Sequence, residues 1–242
     1  MIGRIFRRAS RELRDLVHPP PVPRPGTVRM GDLRRTTPIS RSYGYDRGNP
    51  IDRYYIERFL RANVKDIRGR VLEVGEDMYS SALGGSAVTA VEILHAHEGN
   101  PTASYVADIG TGEGLPPGTF DAIVMTQTLQ LVFDLRAAIG LLHHALVPGG
   151  VLLTTFPGIS QLPVDEWAAN WYWSFTDRSA RRLFEEVFHP DELSVEAHGN
   201  VLTSVAFLHG LADHELTREE LDRHDPLYQM LITVRARRRE EG

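Results

Sequence analysis

From Ile51 onward the chain alternates between two periods. IDRYYIERFLRANV at 51–64 spaces its apolar residues three and four apart, as one face of a helix requires, whereas VLEVG at 71–75 and TAVEIL at 89–94 are short β-rich runs. ASYVA at 103–107 and FDAIVM at 120–125 are again short and bounded by glycine or proline. LRAAIGLLHHAL is helical by Leu135, Ala138, Ile139, Leu142, Ala145 and Leu146, and VPGG turns it into the strand GVLLTTF at 150–156. DRSARRLFEEVF at 177–188 is a helix with Ala180, Leu183, Phe184, Val187 and Phe188 on one face, and Thr176 or Asp177 is placed to cap it. ELSVEAHG and YQMLITVRAR close the pattern as strands, separated by a helical insertion at about 200–226. Strands alternating with helices predict an α/β, Rossmann-like architecture: a mostly parallel, seven-stranded sheet with helices on both faces.

The first 37 residues read differently. Ile2, Ile5, Phe6, Ala9, Leu13, Leu16 and Val17 recur at helical spacing among Arg4, Arg7, Arg8, Arg11 and Arg14, which predicts a basic amphipathic helix. Such a helix suits packing on its own domain or on a dimer mate, and also an anionic membrane surface. PPPVPRPG at 19–26 ends it, because proline cannot continue a helix. The expected organisation is therefore a helix and proline-rich linker over 1–37 and a main domain over 38–242. The apolar stripe at the N-terminus and the insertion both need cover, which leads us to expect a homodimer.

Charge and composition narrow the function. The chain carries 27 basic against 32 acidic residues, net −5, so a whole-domain nucleic-acid footprint is not expected. It has no cysteine, which removes disulfides, thiolate metal sites and cysteine nucleophiles. No apolar run approaches the ~18 residues of a membrane span, and no signal-peptide pattern opens the chain, so a soluble cytoplasmic protein is expected.

Chemistry is suggested where strands end. VLEVG ends in a glycine that lets a ligand approach the backbone at the carboxyl edge of a sheet. Three further pieces follow at consistent spacing: VADIG, VMTQTLQLV and ALVPGG. On these residues the chain resembles the class I S-adenosylmethionine-dependent methyltransferases over roughly residues 40–237. The resemblance implies S-adenosyl-L-methionine as cofactor. It assigns Glu73 and Gly75 to the cofactor loop, Asp108 and Ile109 to the adenine, and Thr126 and Gln127 to the methionine part. Two departures stand out: Glu76, Asp77 and Met78 occupy places where further glycines are usual, and the ribose-binding acid is missing, leaving Glu92 or His95. Upstream, SRSYGYDRGNPIDRYYIERFL is expected to fold over the cofactor, with Tyr43 and Arg47 meeting its carboxylate and Asp52 with Arg53 as a helix-start ion pair. A dinucleotide oxidoreductase is disfavoured because G-x-G-x-x-G is absent after the first strand.

PVDEWAANWYWSFT follows the fifth strand and holds all three tryptophans of the chain. Flat aromatic faces and indole donors suit a sugar ring, so Trp171, Tyr172 and Trp173 are the expected acceptor contacts. Asp165 and Glu166 are the nearest carboxylates able to take a proton from an attacking hydroxyl, with Glu166 preferred for its reach. Together with ISRSYGYDRGNPIDRYYIERFL, this segment is similar to bacterial, including actinobacterial, glycan O-methyltransferases such as those of methylmannose polysaccharide synthesis. The expected activity is O-methylation of a saccharide hydroxyl; the alternatives are a catalytically silent binding protein on the same fold and a methyltransferase of another small molecule. His143 and His144 fall at a helix end away from the active edge, and His198 and Asn200 are better placed but lack supporting spacing. Scattered acids leave room for a magnesium ion that no spacing supports.

Overall fold

The computed structural model describes residues 22–240, apart from the side chain of Glu166. The helix expected over 1–18 lies outside the described residues. Contacts divide the chain between Thr37 and Pro38. In the first unit the described residues are exposed apart from Leu33, with one short 3-10 turn at Gly31–Leu33.

The second unit contains the sheet: β1 (Gly69–Val74), β2 (Val88–His95), β3 (Tyr105–Val106), β4 (Phe120–Thr126), β5 (Leu146–Pro157), β6 (Leu193–His198) and β7 (Leu231–Arg237), in the spatial order 3-2-1-4-5-7-6. Strands β1 to β5 run parallel, and β7 runs antiparallel between β5 and β6. Ala122, Ile123, Val124 and Met125 are all fully buried, as a central strand covered on both faces requires.

Helices α1 (Ile51–Ala62), α2 (Met78–Leu83), α3 (Leu135–Ala145), α4 (Asp177–Phe184), α5 (Val201–Leu208) and α6 (Arg218–Asp222) supply the cover. Leu72, Ile123, Ile139 and Phe184 share one core cluster, and Ile56, Val71, Val124 and Phe207 share a second. Leu72 and Val71, adjacent on β1, thus serve opposite faces. Asp134 caps α3 by accepting from Ala137 N at 3.0 Å, and Thr176, rather than Asp177, caps α4 in a reciprocal box with Ser179.

Three features depart from the sequence expectation. Helix α2 is present where only a loop was expected, because EDMYSSAL is too short for periodicity to show. The links from β2 to β3 and from β3 to β4 carry no α-helix, only a 3-10 turn at Ile109–Thr111 in the second. The insertion also packs on its own domain: Ala206, Phe207 and Leu221 join the core with Ile51 and Tyr55. Its need for cover is therefore met within the chain, and this motive for a dimer falls away.

Candidate active site

The chain leaves β1 toward β2 and β3 on one side and returns to β4 on the other, so the carboxyl ends of β1 and β4 flank a topological switch point. A cavity of about 870 Å³ opens there, a size ordinary for small-molecule and cofactor sites. One part of its wall is made by strand ends and the other by loops.

The strand-end wall contains Val74, Gly75, His95, Asp108, Ile109, Thr126 and Gln127. Gly75 has φ +88°, and nothing lies within 4 Å of where its Cβ would stand, so the backbone there faces open space that a side chain would fill. Asp108 is exposed and holds its turn by accepting from Gly110 N at 2.9 Å, while neighbouring Ile109 is buried. His95 ends β2 with Nδ1 3.0 Å from the His97 carbonyl. Gln127 sits at φ +49°, and its N–H donates to Thr155 O at 2.8 Å.

Gln127 and Tyr43 are the non-glycine residues with positive φ among those described, and both line this cavity. A side chain held in that region costs on the order of 1–3 kcal/mol and persists where surrounding structure demands it. Both walls of this cavity thus carry a strained backbone position, which singles it out as the candidate site.

Glu73, expected at the cofactor, is absent from the wall. Its buried carboxylate accepts from Tyr79 N at 2.9 Å and Ser80 N at 2.7 Å, tying the loop after β1 to the start of α2. Burial raises its pKa, and the hydrogen bonds from Ser80 and Tyr79 oppose that. Two backbone donors thus take up the carboxylate, and its role is to hold the loop that carries Gly75.

The loop wall begins with the segment before α1. It is stitched to the insertion: Ile39 N and Ser40 N both donate to His209 O at 3.0 Å, Asp213 N donates to Asn49 O at 2.8 Å, and Pro50 bridges to Ala212. A Cβ on Gly44 would stand 2.7 Å from Leu211 O, so only glycine allows this approach. Arg47, expected to meet a cofactor carboxylate, instead pairs with Glu215 of the insertion, Nε to Oε2 at 2.9 Å, and is not on the cavity wall. Its hydrogen bond pulls Glu215 down to about 2.

Arg53 takes the position on the wall. Its Nε donates to the Tyr45 hydroxyl at 2.9 Å, a second guanidinium N–H donates to the Tyr79 hydroxyl, and Asp52 lies beside it on the same wall. Burial raises the pKa of Asp52, opposed by the charge of Arg53. The two residues expected as a helix-start ion pair thus stand at the charged corner of the cavity, with the Arg53 guanidinium bonded to two tyrosine hydroxyls rather than to the Asp52 carboxylate. Burial pushes the Tyr43 hydroxyl up to about 12; a bond with Gln161 opposes this and the charges of Asp165 and Asp52 add to it. Tyr43 is therefore a hydrogen-bond donor at neutral pH.

After β5, Asp165, Trp167, Trp171 and Tyr172 reach the cavity. Asp165 begins a 3-10 turn at Glu166–Asn170 by accepting from Trp167 N at 3.1 Å. Trp173, expected at the acceptor, does not line it: its Nε1 donates to Val132 O at 3.0 Å, which braces the segment against the loop before α3. Gln130, Phe133 and Trp167 line the cavity beyond the expected set. Gln130 holds the segment in place, its carbonyl accepting from Tyr172 N at 2.9 Å.

His97 also lines the cavity, whereas the other polar residues weighed from the sequence lie elsewhere. His143 packs edge-on against Phe188 at 4.8 Å. His198 lines a second cavity that shares no lining residue with the first, with Nε2 2.9 Å from Thr233 Oγ1; burial, then His224 and Arg58, draws it down to about 4. Asn200 caps α5. None of the three serves the candidate site. Among the described residues, no three His, Asp or Glu side chains are grouped to hold a metal, and no helix is long and apolar enough to cross a membrane.

The strand order with its single antiparallel strand is the Rossmann-like fold of class I methyltransferases. A methyltransferase from Mesorhizobium loti, described as S-adenosylmethionine dependent, is 19% identical and superposes with a TM-score of 0.51 over 78% of this chain and 100% of its own. One from Archaeoglobus fulgidus, likewise described, is 12% identical with a TM-score of 0.51 over 77% of this chain and 94% of its own. The N-methyltransferase NodS of Bradyrhizobium japonicum, solved with S-adenosyl-L-homocysteine, is 15% identical with a TM-score of 0.50 over 84% and 95%. No protein-family model and no curated protein sequence matches the chain.

Proposed function

We infer that the protein is an S-adenosylmethionine-dependent O-methyltransferase acting on a saccharide hydroxyl, as in polysaccharide biosynthesis. The observation that carries this is the cavity itself, which joins a side-chain-free cradle at Gly75 to a wall of Trp167, Trp171 and Asp165. The strand-end half fits the cofactor: Gly75 leaves room for it, Asp108 suits the adenine amine, Ile109 suits the purine face and Gln127 with Thr126 suits the methionine part. In place of Arg47, Arg53 is the cation available to a carboxylate. When bound, the cofactor supplies an electrophilic methyl group on a sulfonium.

The loop half supplies acceptor and base. Trp167 and Trp171 offer faces for the C–H side of a sugar, and Tyr43 offers a donor to one of its oxygens. Asp165 is placed to take the hydroxyl proton and release it to solvent. Glu166, preferred from the sequence, has its side chain outside the described residues and stays a candidate base beside Asp165, which lines the cavity. The charge and cysteine-free composition suit a cytoplasmic enzyme without nucleic-acid partners. A homodimer now rests on residues 1–18 alone, and light scattering of the full chain tests it.

The test is transfer of a labelled methyl group to mannose, its O-methylated glycosides, glucose derivatives and phenols. Label on a sugar alone supports the saccharide reading. Label on a phenol alone removes it and leaves a methyltransferase of another small molecule. Binding of S-adenosylhomocysteine without transfer to any acceptor favours the silent scaffold.

A further inference from the structure

The mouth of the cavity is apolar where its interior is mixed. Phe133 lines the cavity and is nevertheless 70% exposed, which is far from the burial a phenylalanine gains in a core. Tyr172 meets it edge-on at 5.3 Å between ring centroids, and Trp173 lies tilted against it at 6.0 Å. These rings are 45% and 37% exposed. They form a fixed shelf, because the Trp173 indole is bonded to Val132 O and both Tyr172 and Trp173 donate their N–H groups to the Gln130 carbonyl. On the loop after β5, Ile159 lines the cavity, and Leu162 and Val164 flank Pro163, which also lines it. Their exposures are 37%, 58% and 79%. The less exposed part of the wall offers Gln130, which is buried, and the half-buried Gln127, Thr128 and Asn170.

We propose that the acceptor is an amphiphile, a saccharide bearing an apolar chain or ring, whose apolar part lies across this rim while the saccharide enters the cavity. The proposal rests on the saccharide reading above and adds the class of its substituent. A bare sugar would leave the rim in water, and a fixed shelf of exposed apolar rings beside a site marks a place where something is bound. Continuity decides the occupant: Phe133, Tyr172 and Ile159 belong to both rim and cavity wall, so one molecule reaching outward from the cavity covers them. The polarity runs from amides and a hydroxyl on the buried and half-buried wall to aromatic and aliphatic carbon at the exposed rim, and the ligand it complements is polar at the reacting end and apolar at the other.

The test uses the full chain saturated with S-adenosylhomocysteine and calorimetric titration with three probes below their micelle concentrations. These are methyl α-D-mannopyranoside, octyl α-D-mannopyranoside and tetraethylene glycol monooctyl ether. The octyl mannoside is expected to bind about tenfold or more tighter than the methyl mannoside, as several buried methylenes would give. Phe133→Ser should remove most of that advantage while leaving S-adenosylhomocysteine affinity in place. Should that variant lose S-adenosylhomocysteine as well, Leu162→Ser on the loop after β5 takes its place. Equal affinity for the two mannosides overturns the proposal and leaves the saccharide reading standing. Octyl ether binding that Phe133→Ser abolishes, with no binding of methyl mannoside, supports the rim and overturns the saccharide. A dimer in light scattering that Phe133→Ser dissociates gives the rim to a second copy and overturns the proposal.

Discussion

The two walls of the cavity are built by different means. The strand-end wall uses backbone and short side chains whose places follow from β1, β2, β3 and β4, so a bare glycine, one carboxylate and an isoleucine suffice to shape it. The loop wall is assembled from residues 39–53 and 157–175, and its side chains are held by hydrogen bonds between distant segments, such as Ile39 to His209 and Tyr172 to Gln130. On the proposed reading the first wall holds the cofactor and the second chooses the acceptor.

The difference predicts that damage to one wall leaves the other working. Asp165→Asn should lower kcat by about 10²- to 10⁴-fold, the range for loss of a general base. S-adenosylhomocysteine affinity should stay unchanged, and pre-steady-state transfer measures the two separately. Full activity would pass the role to Glu166. Gly75→Val should weaken cofactor binding about 100-fold, since a branched side chain would enter the cavity and the positive φ adds strain of about 1–3 kcal/mol. Quenching of tryptophan fluorescence by S-adenosylhomocysteine reads this loss.

Smaller effects sharpen the boundary. Asp108→Ala should cost about 1–3 kcal/mol of cofactor affinity without unfolding the domain, and equilibrium dialysis beside a thermal melt detects both. Trp171→Ala should raise the acceptor KM about 10-fold at constant cofactor affinity, as expected for a lost aromatic contact. Trp173→Ala should instead lower the Tm, because its indole braces the segment. The smallest change is expected for Arg47→Ala, because neither Arg47 nor its partner Glu215 lines the cavity; cofactor affinity should stay within about twofold. A large loss there would restore Arg47 to the site.

What the sequence reveals follows the same division. The seven strands and the switch-point position of Gly75, Asp108 and Gln127 were legible, because strand period and the glycine or acid at each strand end are local signals. Helix α2 was not, since six residues hold too little periodicity. Arg47 and Arg53 could not be told apart either: six positions separate two arginines in one polar segment, and Glu215, which claims the first, lies 168 residues away. Trp173 and Trp171 differ for the same reason, alternate residues whose roles are set by the carbonyl of Val132 across a loop. Gln130 gave no signal, because its use is a backbone carbonyl that any residue possesses.

The central claim is that the strand-end wall binds the methyl donor. Calorimetric titration of the wild-type chain with S-adenosylhomocysteine tests it without knowledge of any acceptor. The account predicts saturable binding at one site per chain, retained in Asp165→Asn and weakened about 100-fold in Gly75→Val. No heat in the wild type, or equal affinity in Gly75→Val, would contradict it.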